Sequence, residues 1–101
     1  MIVEYIRYSL PQPLAEQFVA DYGRASRALD DSVHCQAYEL SRCVDEPNVF
    51  LLRIEWDSAT GHMEGFRKSP GFREFLGAVR TYIPFIQEMR HYEVTGVRMR
   101  S

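Results

Sequence analysis

Cysteine is scarce in this chain: Cys35 and Cys43 are the only two among 101 residues. On one continuous strand their separation would hold them roughly 26 Å apart, whereas a disulfide needs Cα atoms within about 7 Å. An intrachain bridge is excluded on that placement. The spacing fits no zinc pattern, and both thiols are expected to be reduced and structural. No apolar run approaches the roughly 20 residues that span a bilayer, so no membrane association is expected. An excess of one charge is missing as well. Lys and Arg number 12 against 14 Asp and Glu, a net charge of −2, which gives no basic field to attract nucleic acid or acidic lipid. There is no Gly-rich phosphate loop, nucleophile elbow or metal cluster, and no repeat, low-complexity stretch or linker. Met1-Ile2-Val3-Glu4 enters a strand pattern without the basic n-region or cleavage site of a signal peptide. A cytoplasmic protein is expected.

What is present suits one domain over residues 1–101, with its core from about 2 to 97. The 46% hydrophobic and 26% charged fractions are those of an ordinary globular chain. At this length only about two-thirds of the surface is buried, so a partner subunit would help. Residues 2 to 9 alternate, with Ile2, Glu4, Ile6 and Tyr8 on one side and Val3, Tyr5, Arg7 and Ser9 on the other. Pro13 suits a first helical position. Leu14, Phe18, Tyr22, Ala25 and Leu29 then form one helical stripe, ended by Asp30-Asp31-Ser32. Strands follow over 34–43 and 49–56, divided by the turn Asp45-Glu46-Pro47-Asn48. Asp57 or Ser58 caps a second helical region, which Ser69-Pro70 restarts with Ser69 as cap. A last strand is expected over about 86–97. The order β-α-β-β-α-β predicts an α+β, ferredoxin-like fold: an antiparallel four-stranded sheet with helices on one face. The other face, with Arg7, Glu39, Arg53 and Glu55 as an ion-pair lattice, predicts a homodimer that packs sheet on sheet.

Chemistry concentrates between Arg53 and Phe75. A strand ends on the single Trp, Trp56, and a capped helix begins at once with His62 one turn in. Phe66, Phe72 and Phe75 follow on either side of Ser69-Pro70. An aromatic, an imidazole and an apolar wall are thereby brought to one small volume. Each has a plainer alternative. Trp56 at a strand end is also a packing anchor. His62 can instead bond a carbonyl or carboxylate. The three Phe fall at core-like helical spacing. His34 is expected to be exposed or in a loop, and Arg67-Lys68 to be a solvated helix edge. The orientation of His91 depends on a strand register that the sequence does not fix.

Through Trp56, Asp57, His62, Ser69 and Phe72 the chain resembles the antibiotic-biosynthesis monooxygenase family, and the order of elements agrees from Ile2 to about Val97. The resemblance implies a dimeric α+β barrel with a pocket in each subunit between the sheet and the second helical region. It implies a cofactor-independent monooxygenase acting with O₂ on a quinol-like or polycyclic phenolic small molecule, with neither metal nor flavin. The deprotonated substrate would pass an electron to O₂ and the radicals would recombine. On this resemblance His62 and Trp56 are the catalytic candidates, Phe66 and Phe72 line the aromatic slot, and Arg53 or Arg90 holds the anion. The family also contains an isomerase and proteins with no known reaction, so a non-catalytic dimer binding an aromatic metabolite and an isomerase using His62 stand as alternatives. Two departures appear. Ile54 stands where many members carry an acid, and Leu76 stands where haem-degrading members present a His to iron. With Arg7-Tyr8-Ser9 in place of their first-strand Asn, haem degradation is not expected.

Overall fold

The computed structural model describes residues 1–99. Strand β1 (Ile2–Ser9) is followed by a 3₁₀ turn at Gln12–Leu14, helix α1 (Ala15–Asp30), β2 (Cys35–Arg42) and β3 (Val49–Trp56). A π-helical turn (Gly61–Phe66), helix α2 (Pro70–Val79), a 3₁₀ segment (Arg80–Phe85) and β4 (Ile86–Glu93) complete the chain. The strands pair antiparallel throughout in the order β2-β3-β1-β4, which is the expected ferredoxin-like α+β sheet. Among the described residues no helix is long and apolar enough to cross a membrane.

The alternation in β1 and β3 decides which side is core. Ile6, Tyr8, Phe50, Leu52, Ile54 and Trp56 face the helices and are buried. Phe18 of α1 has no exposed surface. It packs at 4.8 to 4.9 Å between ring centroids against Tyr8, Tyr22, Phe50 and Tyr82. Each such side chain contributes about 1.5–3 kcal/mol by leaving water. The phenols are satisfied inside: Tyr8 bonds Tyr22, and Tyr82 donates to Asp21, which also pairs with Arg24. Burial pushes the Tyr8 hydroxyl up to about 12, so these groups hold the fold as neutral phenols.

Three local expectations are corrected. Pro13 lies in the 3₁₀ turn, and α1 begins only at Ala15. The last strand stops at Glu93 rather than about 97, because its partner β1 begins at Ile2; one further bond, from Val94 N–H to the Met1 carbonyl, closes the ladder. Ser69 takes the N-cap place but its hydroxyl donates back to the Phe66 carbonyl at 2.6 Å, so it caps no α2 amide by its side chain. Both cysteines are free. Burial pushes the Cys35 thiol up to about 11, which keeps it protonated and unreactive.

The π-helical turn is built on two glycines. Ser58 Oγ accepts from the Gly61 N–H at 2.8 Å and starts it. The Arg67 N–H reaches the His62 carbonyl, five residues back, at 3.0 Å. A methyl group at Gly65 would overlap the His34 ring, and one at Gly61 would overlap the Asp57 carboxylate first and the edge of the same ring second. That ring is tied to Asp57 (Nδ1···Oδ2 2.9 Å), a bond that holds the Asp57 carboxyl below its usual range. Gly65→Ala should therefore cost about 1–3 kcal/mol, the range for overpacking, in a denaturant melt. Adding His34→Ala should restore most of it. A Gly65→Ala midpoint equal to wild type would mean that the ring does not constrain this turn.

Candidate functional site

Glu4 is the foundation of the site. It stands in the middle of the sheet, opposite Ile54 of β3 and His91 of β4, on the side that faces the helices. Trp56 ends β3 on that same side, and its indole Nε1–H donates to Glu4 Oε1 at 3.2 Å. The π-helical turn lowers His62 onto the pair, its ring stacked on Trp56 at 4.3 Å and 15°. His62 Nε2 lies 3.5 Å from Glu4 Oε1. His62 Nδ1 is 2.6 Å from His91 Nε2, and His91 Nε2 is 3.9 Å from Glu4 Oε2. A turn with an extra residue is a common way to aim a functional side chain; here it aims His62.

Burial grades across the cluster. The Glu4 and His62 side chains are 2% and 4% exposed, and His91 is 35% exposed, so the cluster meets solvent through His91. Burial raises the Glu4 carboxyl above its usual range, opposed by the Trp56 bond and by the charges of His91 and Arg67. Burial pushes His62 down to about 4, aided by His91 and Arg67. At neutral pH His62 is thus an uncharged imidazole with one donor and one acceptor nitrogen. With its proton on Nε2, toward Glu4, Nδ1 accepts from the His91 Nε2–H and His91 Nδ1 is left as the free acceptor. Glu4 Oε2 is buried and has no hydrogen-bond partner among the described residues.

Of the residues proposed from the sequence, His62 and Trp56 come together. Phe66 and Phe72 adjoin them as packing: Phe66 is buried, 5.2 Å from the Trp56 ring and edge-on to Phe72 and Phe75 at 5.7 and 5.9 Å. Arg53 and Arg90 are not brought to the cluster. Both sit opposite Tyr5, one residue out of step with Glu4, so the pleat turns them to the other sheet face. There Arg53 bonds Glu55 at 2.6 Å and the Tyr5 hydroxyl at 3.3 Å, and Arg90 lies 3.7 Å from Glu88. The cation whose charge acts on both Glu4 and His62 is Arg67, which also lies over the Phe72 ring at 5.6 Å. Arg67 and Lys68 are both exposed, as expected of a solvated edge, with Lys68 paired to Glu64. Sequence reasoning passed over Glu4, although a charge among Ile2, Ile6 and Tyr8 was a visible signal. His34 is a half-buried loop residue.

A family model for antibiotic biosynthesis monooxygenases matches residues 1–78. The chain belongs to that family. The uncharacterized protein YczJ of Bacillus subtilis (strain 168) is 28% identical over 86 residues, covering 84% of this chain and 90% of the relative. A crystal structure from Bordetella bronchiseptica, assigned to antibiotic biosynthesis monooxygenases, superposes with a TM-score of 0.78 at 22% identity, over 93% of this chain and 96% of that one. SnoaB, a cofactor-independent oxygenase from Streptomyces nogalater, superposes at 0.73 with 14% identity, over 97% and 94%. Both likenesses show that this family member shares their fold.

Proposed function

We propose that the protein is a monooxygenase that oxidises a quinol-like or polycyclic phenolic small molecule with O₂, using neither metal nor flavin. The observation that carries this reading is the chain of contacts from a buried carboxylate through a buried imidazole to a solvent-facing one. A phenol O–H against His91 gives its proton to that ring. His91 passes its Nε2 proton to His62 Nδ1, and His62 passes its own to Glu4, whose raised affinity for protons holds it until the chain returns it to the peroxide formed later. Trp56 fixes both the Glu4 carboxylate and the plane of His62. Arg67 supplies a positive charge near the anion that forms. The phenolate then gives an electron to O₂, and superoxide and the substrate radical combine at a ring carbon. Loss of water from the peroxide leaves a carbonyl: one oxygen atom enters the product, the other leaves as water, and the substrate supplies all the electrons. The family assignment supports this reading, as does the name of SnoaB on the same fold.

The working form in this proposal is a cytoplasmic homodimer joined through the open sheet face, where Leu51 and Tyr92 are about 40% exposed beside half-buried Tyr5. A second reading has an observation of its own. Phe66 and Phe72 pack as core rather than line an open slot, which favours an isomerase that shuttles a proton through the same chain without O₂. Oxygen-electrode assays of chelator-treated protein with a panel of quinols and anthrones separate the two. Uptake above the spontaneous rate, with equimolar product, is the expected result. Full turnover under argon, or no uptake across the panel, would sink the oxygenase reading.

A further inference from the structure

We propose that Glu4, His62 and His91 form a binding site for one divalent transition-metal ion, and that the bound ion silences the proton chain. Two imidazoles and one carboxylate are the donor set that suits zinc, iron, nickel and copper, and three protein ligands with an open position is the arrangement of reactive metal sites. The candidate ligand atoms all lie within 4.8 Å of one another. Bonds of about 2.0–2.2 Å to a central ion would place ligand atoms about 3.0–3.5 Å apart. The His62–His91 contact of 2.6 Å would open, and the Glu4–His91 separation of 3.9 Å would close, each by less than about 1 Å.

A second observation points to a ligand independently of that clustering. Among the described residues Glu4 Oε2 is buried without a hydrogen-bond partner, while Oε1 is held by the Trp56 indole N–H. An orphaned buried carboxylate oxygen costs the fold free energy. A cation bound at Oε2 would remove that cost, with Trp56 orienting the ligand from behind as outer partners of metal sites do. The three ligands also come from three anchored places: β1 between its two partner strands, the paired position on β4 and the glycine-built turn. His91, the exposed member, would leave the remaining coordination positions open to water. Because the ion would occupy the nitrogen lone pairs that relay the proton, bound metal and proton transfer exclude each other. Binding stands apart from the proposed oxygenation; only the silencing rests on that reading.

The test starts from chelator-stripped full-length protein titrated with Zn²⁺ in a calorimeter and with Co²⁺ by its visible absorbance. One ion per chain, micromolar or tighter, is expected. His91→Ala, at an exposed strand position that leaves the core intact, should weaken binding at least tenfold, and Trp56→Phe about 10- to 100-fold. Zn²⁺ should raise the melting temperature of wild type but not of His91→Ala. Equal affinity in wild type and His91→Ala, or no binding at about 1 mM ion, overturns the site. These readouts need no turnover, so they decide binding even if no substrate is oxidised. Where the stripped protein does consume oxygen, one equivalent of Zn²⁺ should stop it and chelator restore it; uptake that continues with the site filled overturns the silencing.

Discussion

Oxygen uptake by His91→Ala, measured on metal-free protein with a substrate that wild type oxidises, should fall about 10²- to 10⁴-fold in kcat, the range that positioned acid–base groups contribute. His91 is the one member of the cluster that solvent and substrate can reach, and its side chain carries little of the core, so loss of rate should come without loss of fold. His62→Ala should cause a fall of similar size, since it cuts the chain between His91 and Glu4. The double variant should be no worse than either single one, because groups that act as a unit lose their effect together. KM should change little, as the missing nitrogen acts on the proton rather than on the aromatic body of the substrate. Added imidazole should recover part of the rate in His91→Ala, where the space of the ring is open to water. A His91→Ala enzyme within a few-fold of wild type would place proton removal elsewhere, with Arg67 the next group to replace.

The frame that holds these groups was legible because it depends on short-range pattern. The alternation of Phe50, Leu52, Ile54 and Trp56 against Leu51, Arg53 and Glu55 gave β3 its bounds and its buried side without reference to any neighbour. The site depends on what crosses between elements. Whether His91 faces Glu4 is a matter of β1–β4 register, and a shift of one residue would have turned it to the far face. The same pleat removes Arg53 and Arg90, whose charge alone made them attractive as anion holders. His62 reaches the cluster because the turn after β3 is π-helical, and the His34 ring that packs on the glycines of that turn lies 28 residues before His62, in no periodic relation to it. Glu4 is the instructive omission: its place on the core side could be read from alternation, and a lone carboxylate there was the mark of a site rather than of a surface.

The Trp56–Glu4 bond offers the sharpest separation of stability from function. Trp56→Ala should destabilise the protein by about 3–5 kcal/mol, since the largest fully buried side chain leaves a cavity that the sheet cannot close. Trp56→Phe keeps most of the bulk but removes the hydrogen-bond donor to Glu4 Oε1, leaving the buried carboxyl only the longer approach of His62 Nε2 at 3.5 Å, at a cost of about 1–3 kcal/mol. Glu4→Met should cost a similar amount for the opposite reason, because it strands the indole N–H. Replacing both partners removes the unsatisfied groups together, so Trp56→Phe with Glu4→Met should be nearly as stable as wild type or more so. Denaturant midpoints of the four proteins close this cycle. A double variant as unstable as the sum of the single ones would show no coupling between the two side chains and would overturn this account of the bond. A stable double variant that neither consumes oxygen nor binds Zn²⁺ would show that the fold carries a buried carboxylate it does not need, kept where two histidines can use it.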